Sequence, residues 1–388
     1  MSRLTLEITK YCEVGCTFCK YSAPIPRSPA KDPRLYLGPD AIRQCVEFAN
    51  EEQLSAIVIT GGGEPTHEFG TVLRLLREAA VPRFSLYTAG QWATSDDTVE
   101  DVLQLLYDAL PDSSRLAIRL SVDTFHTARI GTAPATRIVR SLSRNQHKWP
   151  RLDLTIRTVL HYDGPVADVA RTLGGSITPQ GAARWTLTVP DSYTLDVVGM
   201  NLIPDGRLSP RTSSRYEIDN LATTFAHLRS HFGDGWPLVF DGGLNIGVRP
   251  SGRVYLYGAT PEDLGRLPDE PLDIIVDRIA RDPITLALLA HGIVEFMHQM
   301  AVVEPAVADL PEAYADPPLL VSKACNSPMR LLLGELIALV LLVGGDSSSV
   351  QEILVDLGVA ETRTSSTQSL LFRLKSMYAE AQNAAEGR

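Results

Sequence analysis

Three of the chain's five cysteines fall at positions 12, 16 and 19, within the stretch KYCEVGCTFCK. An odd, tightly clustered set of thiols gives no disulfide framework, and in a reducing compartment such a cluster holds a metal. A structural zinc site closes on four ligands, yet the remaining cysteines, Cys45 and Cys325, stand far away in sequence. Three thiolates around a four-iron, four-sulfur cluster leave one iron without a protein ligand, which is a place for a small molecule to bind. A zinc site or a structural cluster is the competing reading of Cys12, Cys16 and Cys19. The second chemistry-bearing stretch is GGGEPT, with Gly61, Gly62, Gly63 and Glu64. Glycines there let backbone approach a bound ligand, and backbone carbonyls beside a carboxylate receive the protons of an ammonium group. Ser121 and Asp123 of RLSVDTFH, and Arg157 of LTIRTVL, add polar groups at the ends of two further strand-like runs. Their bland alternatives are a helix cap for the Ser/Asp pair and a structural ion pair for the arginine. His67 and His126 follow two of these stretches and are proton carriers or caps.

Such residues act together only if the fold gathers them. Between residues 3 and 203, runs with strand character (4–9, 56–60, 83–88, 116–122, 154–160 and part of 195–203) alternate with amphipathic runs (40–53, 69–80, 97–110, 134–144 and 166–173). That alternation predicts βαβ units and a parallel sheet, an α/β fold with an open or partial barrel whose chemistry sits at the carboxyl ends of the strands. The cysteines follow the first strand, GGGEPT the second, Thr88–Gly90 the third and Ser121–Asp123 the fourth, so one cavity can collect them.

The C-x3-C-x2-C spacing, with Phe18 directly before the third thiol, resembles the signature of the radical S-adenosylmethionine enzymes, and Gly62, Gly63 and Glu64 stand where that family carries its GGE motif. The resemblance covers about residues 3–207. It implies a partial (β/α)6 barrel over 1–207 and one 4Fe-4S cluster on Cys12, Cys16 and Cys19. It further implies S-adenosylmethionine on the open iron, positioned by Phe18, Gly62, Gly63, Glu64, Ser121, Asp123 and Arg157. The implied reaction is reductive cleavage to a 5′-deoxyadenosyl radical that abstracts hydrogen from a peptide or small-molecule substrate, with flavodoxin or ferredoxin as electron donor. One departure stands out: Ala89 replaces the asparagine of a frequent T-N-G at the third strand. Met200 to Ile203 fall where the family places backbone contacts to adenine.

Beyond the barrel, 208–325 is similar to a SPASM or twitch extension, with a hairpin expected over 244–258 turning on Pro250, Ser251 and Gly252. It lacks the cysteines of an auxiliary cluster. Cys325 is a candidate hydrogen-atom donor, as in radical epimerases, against the reading of a small buried hydrophobe. Residues 326–388 read as a helical region with helix-turn-helix proportions. Its five Lys or Arg against seven Asp or Glu lack the basic footprint of a groove reader. The whole 388-residue chain carries a formal charge of −10, which argues against nucleic-acid and anionic-membrane partners. The N-terminal MSRLTLEITK lacks the apolar core of a signal peptide and the longest aliphatic run, Leu331 to Val343, is too short to span a bilayer, so a cytoplasmic enzyme is expected. The alternative in a different class is a non-catalytic metal- or cluster-binding regulator that acts through its C-terminal helices.

Overall fold

The computed structural model describes residues 3–19, 23, 32–160, 164–181, 183–190, 193–200, 239–240, 243–256, 264–304, 307, 321, 324–325 and 327–345. Several sequence expectations fall outside these residues. They are the sixth strand's end at 201–203, the 208–238 part of the extension and the helix-turn-helix-like segment beyond 345.

Contacts divide the chain into two units. The first comprises Met1–Asp219, Phe240–Val254 and Gly265–Ile275, and the second the remainder. The first unit is built on β1 (Arg3–Glu7), β2 (Ala56–Thr60), β3 (Arg83–Thr88), β4 (Arg115–Ser121) and β5 (Leu152–Val159). Between them lie α1 (Pro39–Glu51), α2 (Phe69–Glu78), α3 (Asp96–Ala109), α4 (Thr124–Ile130) and α5 (Ala133–Asn145), and α6 (Gly164–Thr172) follows. The sheet continues through β6 (Ser176–Gly181), β7 (Arg184–Thr188), β8 (Thr194–Met200), β9 (Val239–Phe240), β10 (Gly243–Val248) and β11 (Val254–Leu256).

Seven strands run parallel in the order β10-β1-β2-β3-β4-β5-β8. From β1 to β5 each strand lies beside its predecessor, the arrangement that repeated βαβ units produce. The expected α/β class is therefore present, as an open sheet with two ends. RLTLE shows why both faces are filled: Leu4 and Leu6 have no exposure, and Thr5 and Glu7 on the opposite face have only 4% and 3%. The apolar face meets the helices, where Val46, Leu75, Leu103 and Ile138 are buried. The other face carries polar side chains into the interior of the curved sheet.

Two features were not anticipated. An antiparallel pair, β6 with β7, is inserted between α6 and β8, and β7 pairs with β8. Its outer strand SITPQG is mostly exposed and contains Pro179, which an edge strand tolerates because no ladder bond depends on the missing N–H. The hairpin over 244–258 does turn where expected, with the Arg249 N–H donating to the Arg253 carbonyl at 2.8 Å and Gly252 at φ 80°. Its first strand, however, joins the main sheet, pairing in parallel with β1 from Arg3↔Asn245 to Leu6↔Val248.

In the second unit, α8 (Pro283–Val303) breaks direction at Gly292, whose φ is 82°, and packs on α9 (Pro328–Leu342). The preceding α7 is Leu272–Arg281. Asp282 caps α8 by accepting from the Thr285 N–H at 2.8 Å, and Phe296, Met300, Leu336 and Ile337 are buried. No single helix among the described residues is long and apolar enough to cross a membrane.

Candidate active site

At the carboxyl ends of β1 to β5 and β8 the first unit opens into a cavity of about 320 Å³. Its lining includes Cys12, Cys16, Cys19, Phe18, Gly61 to Glu64, Ser121, Asp123, His126 and Arg157. Every residue expected to bind the cluster or the cofactor is thus brought to one place.

The cysteine loop leaves β1 and is held open by Gly15, whose φ of 63° is costly for a residue with a Cβ. The Ala23 N–H donates to Cys19 Sγ at 3.5 Å, the backbone N–H groups of Gly15 and Val14 work to lower the pKa of Cys12, and Cys16 and His126 line the same cavity. Burial pushes the Cys12 thiol up to about 11 despite its two backbone donors, and Glu64 and Cys16 add to the rise. Metal must therefore displace a proton there. Among the described residues, no three His, Cys, Asp or Glu side chains gather closely enough for a single metal ion. A cubane cluster needs no such convergence, since each thiolate takes a different iron around a volume. The donor set, three thiolates with N–H donors along the rim of a cavity, fits a cluster better than zinc.

The glycine-rich turn lines the cavity and also makes a contact that the sequence does not announce. Gly63 N–H donates to the Thr9 carbonyl at 3.0 Å and Glu64 N–H to the Tyr11 carbonyl at 2.7 Å, so the turn lies directly on the start of the cysteine loop. A Cβ on Gly63 would collide with the Tyr11 carbonyl, and one on Gly61 would come within 2.5 Å of the Gly63 carbonyl oxygen. These two glycines serve loop-on-loop contact.

Glu64 is 3% exposed, and its carboxylate ties two loops together. Oε1 accepts from Thr66 N–H at 3.2 Å and Thr66 Oγ1 at 2.7 Å, whereas Oε2 accepts from the Ala89 N–H at 2.8 Å. One lone pair of Oε2 is left for a ligand. The Ala89 position thus contributes its backbone N–H to the tie between the two loops.

Asp123 combines the helix-cap reading with a second task. Oδ1 accepts from the N–H groups of Phe125 and His126 at 2.9 and 3.0 Å, capping α4, while Oδ2 lies 2.7 Å from His126 Nδ1. Burial opposes a charged imidazole, but Asp123 and Cys16 outweigh it and push His126 up to about 10. Phe18 packs against Phe125, with ring centroids 4.6 Å apart, and meets His126 edge-on. His126, considered from sequence only as a general proton carrier or cap, is the residue whose placement the sequence least conveyed. The signal available was the D-x-x-H spacing, which puts the two on one turn of a helix.

Arg157 lies in register beside Ser121, and its guanidinium stacks 4.7 Å above the Tyr87 ring. Burial works to raise the Tyr87 phenol, but Arg157, Arg119 and Arg3 prevail and hold it below its ordinary value. Three arginines thus bear on one buried phenol of the inner face. Cys325 lies in the second unit at 2% exposure, its sulfur near enough to Gly334 that a Cβ there would sit 2.9 Å from it. It packs as a small apolar side chain.

No family model matches the chain, and no curated protein matches it. Among solved structures, native anSMEcpe with bound AdoMet aligns at a TM-score of 0.40 with 13% identity, covering 71% of this chain and 81% of that one. A hexahistidine-tagged form of anSMEcpe with bound AdoMet gives 0.39 and 13%, covering 71% and 77%. Native anSMEcpe with bound AdoMet and Cp18Cys peptide gives 0.37 and 13%, covering 71% and 80%. Agreement at this level decides nothing by itself, and function has to be argued from this chain's own residues.

Proposed function

We propose that the protein is a radical S-adenosylmethionine enzyme acting on a peptide or small molecule. The observation that carries this reading is the meeting of the three cysteines with the glycine-rich turn and the ends of β3, β4 and β5 around one cavity. Cys12, Cys16 and Cys19 would hold a 4Fe-4S cluster. Together with S-adenosylmethionine it supplies the chemistry, an electron that splits the sulfonium C–S bond to give methionine and a 5′-deoxyadenosyl radical able to abstract hydrogen.

The chain's own residues bind and orient. The carbonyls of the 61–63 turn and the remaining Oε2 lone pair of Glu64 would accept from the methionine ammonium. Arg157 and Ser121, adjacent in register, would hold its carboxylate. Phe18, wedged against Phe125, gives the cavity a rigid apolar wall beside the third cysteine, and Val159 and Met200 extend that apolar lining. In this reading the protein works in the cytoplasm with a flavodoxin or ferredoxin as reductant.

Anaerobic reconstitution with iron and sulfide tests the proposal. The expected results are a brown protein, an electron paramagnetic resonance signal that changes on adding S-adenosylmethionine, and 5′-deoxyadenosine whose yield rises with the right peptide or small-molecule substrate. A colourless zinc-loaded protein, or a cluster blind to S-adenosylmethionine, would remove it.

A further inference from the structure

Two carboxylates line the cavity, and both are engaged: Glu64 with Thr66 and the Ala89 N–H, Asp123 with His126 and the first turn of α4. Arg157 lines the same cavity, yet among the described residues no carboxylate pairs with it. Its neighbours in register are Ser121 on β4 and Val198 on β8. What it meets is a ring. The guanidinium carbon lies 4.7 Å from the centroid of Tyr87, within the range where the negative face of an aromatic ring attracts a cation. The kind of partner matters, because a carboxylate orients an arginine and cancels its charge, whereas a ring orients it and leaves the charge standing. Tyr87 reaches this place by strand alternation. In RFSLYT, Phe84 and Leu86 are buried on the apolar face at 1% and 0% exposure, which sends Ser85 and Tyr87 to the inner one. Tyr87 stands in register beside Arg119, whose guanidinium is anchored to Thr155 Oγ1 at 2.6 Å. The ring therefore has a tethered cation beside it on β4 and meets Arg157 one strand further on.

Resting on the reading above that Arg157 meets the methionine carboxylate, we propose that Tyr87 is a positioning residue for that arginine, its ring seating the guanidinium at the cavity wall with its charge uncancelled. An arginine without such a seat loses rotamer freedom each time a ligand binds, and the seat removes that loss beforehand. Tyr87 thus acts through Arg157 by pre-organisation, and the face of the ring carries the effect rather than the hydroxyl.

The test is the dissociation constant of S-adenosylmethionine on anaerobically reconstituted full-length protein, measured by equilibrium dialysis. Tyr87→Phe keeps the ring and should bind within about twofold of wild type, while Tyr87→Leu removes it and should bind about tenfold more weakly, as loss of a desolvated cation–π contact does. In an Arg157→Met background the same Tyr87→Leu change should add nothing, because the ring then has no cation to seat. Trifluorophenylalanine at position 87 keeps the ring's shape but drains its negative face, so it should bind about threefold more weakly than Tyr87→Phe, a loss that packing alone would not produce. Tyr87→Leu at wild-type affinity, Tyr87→Phe as weak as Tyr87→Leu, or equal losses with and without Arg157 would overturn the proposal. Should Tyr87→Leu fail to fold, the fluorinated ring against Tyr87→Phe decides alone. Arg157→Met at wild-type affinity would remove the carboxylate placement and this proposal with it. Wild-type protein that assembles no cluster would instead sink the functional reading, so the failures are told apart.

Discussion

Replacing Glu64 by glutamine separates two roles that the sequence presents as one. If the carboxylate served only to meet a ligand's ammonium, the unliganded protein would not register the change. The structure says otherwise, because Oε1 takes both donors of Thr66 and Oε2 the N–H of Ala89. A glutamine amide offers one acceptor oxygen and one NH2. Whichever way it turns, the NH2 confronts a backbone N–H, either that of buried Ala89 or that of Thr66. An abandoned buried donor costs about 1–3 kcal/mol. The orientation that deprives half-buried Thr66 is the cheaper one, and loss of charge from the surviving bonds adds to its cost. We expect about 2 kcal/mol in all. For a unit of this size that lowers the melting temperature of metal-free protein by about 4–8 °C. Glu64→Ala, which strands all three donors, should cost more. The assay is thermal unfolding of the apo protein followed by circular dichroism. A Glu64→Gln midpoint within about 1 °C of wild type would refute the latch and return Glu64 to a purely ligand-facing role.

Other outcomes follow from the same geometry. Single Cys12→Ala, Cys16→Ala and Cys19→Ala variants should lose the visible absorbance and bound iron of the reconstituted protein, while Cys45→Ala, whose thiol is enclosed in the α1 packing, should keep both. Gly63→Ala drives a methyl into the Tyr11 carbonyl and strains the bonds from Gly63 to Thr9 and from Glu64 to Tyr11. It should destabilise the apo chain by about 2–4 kcal/mol in denaturant titrations, as overpacking and lost bonds do. His126 is raised from 6.5 to about 10 in the fold, so the stability it lends is complete below pH 6.5 and vanishes as pH climbs through 10. Cys12, raised from 9.0 to about 11, pushes the same way between those values. The melting temperature of apo protein should therefore fall from about pH 7 to about pH 10, and less steeply in His126→Gln.

Local pattern carried much of this. The five βα pairs from β1 to α6 lie within a few residues of where periodicity places them, because alternation and helical spacing are properties of neighbouring residues. The cysteine triplet and GGGE were legible for the same reason. What the sequence withheld depends on approach through space. Nothing in GGGEPT says that its carboxylate will reach the Ala89 N–H, since that bond needs the loops after β2 and β3 to be adjacent. Asp123 declared itself as a cap, but its second oxygen holds His126, whose ring shares a cavity with Cys16 from a loop over a hundred residues earlier. The pairing of β10 with β1 is equally non-local. The β6–β7 insertion escaped for a different cause: SITPQG is nearly all exposed and so shows no buried alternation. Helix α4, seven residues long, is too short to display a period.

The seam between β1 and β10 has a consequence for how the chain is made. The strand that leads into the cysteines is made more than two hundred residues before its β10 partner, so one of its flanks is covered only when residues 243–248 have followed. Until then β1 is a bare border, and such borders recruit stray strands. On the proposed cluster reading, iron arriving before residues 243–248 exist would meet a cysteine loop whose leading strand is paired on one side alone.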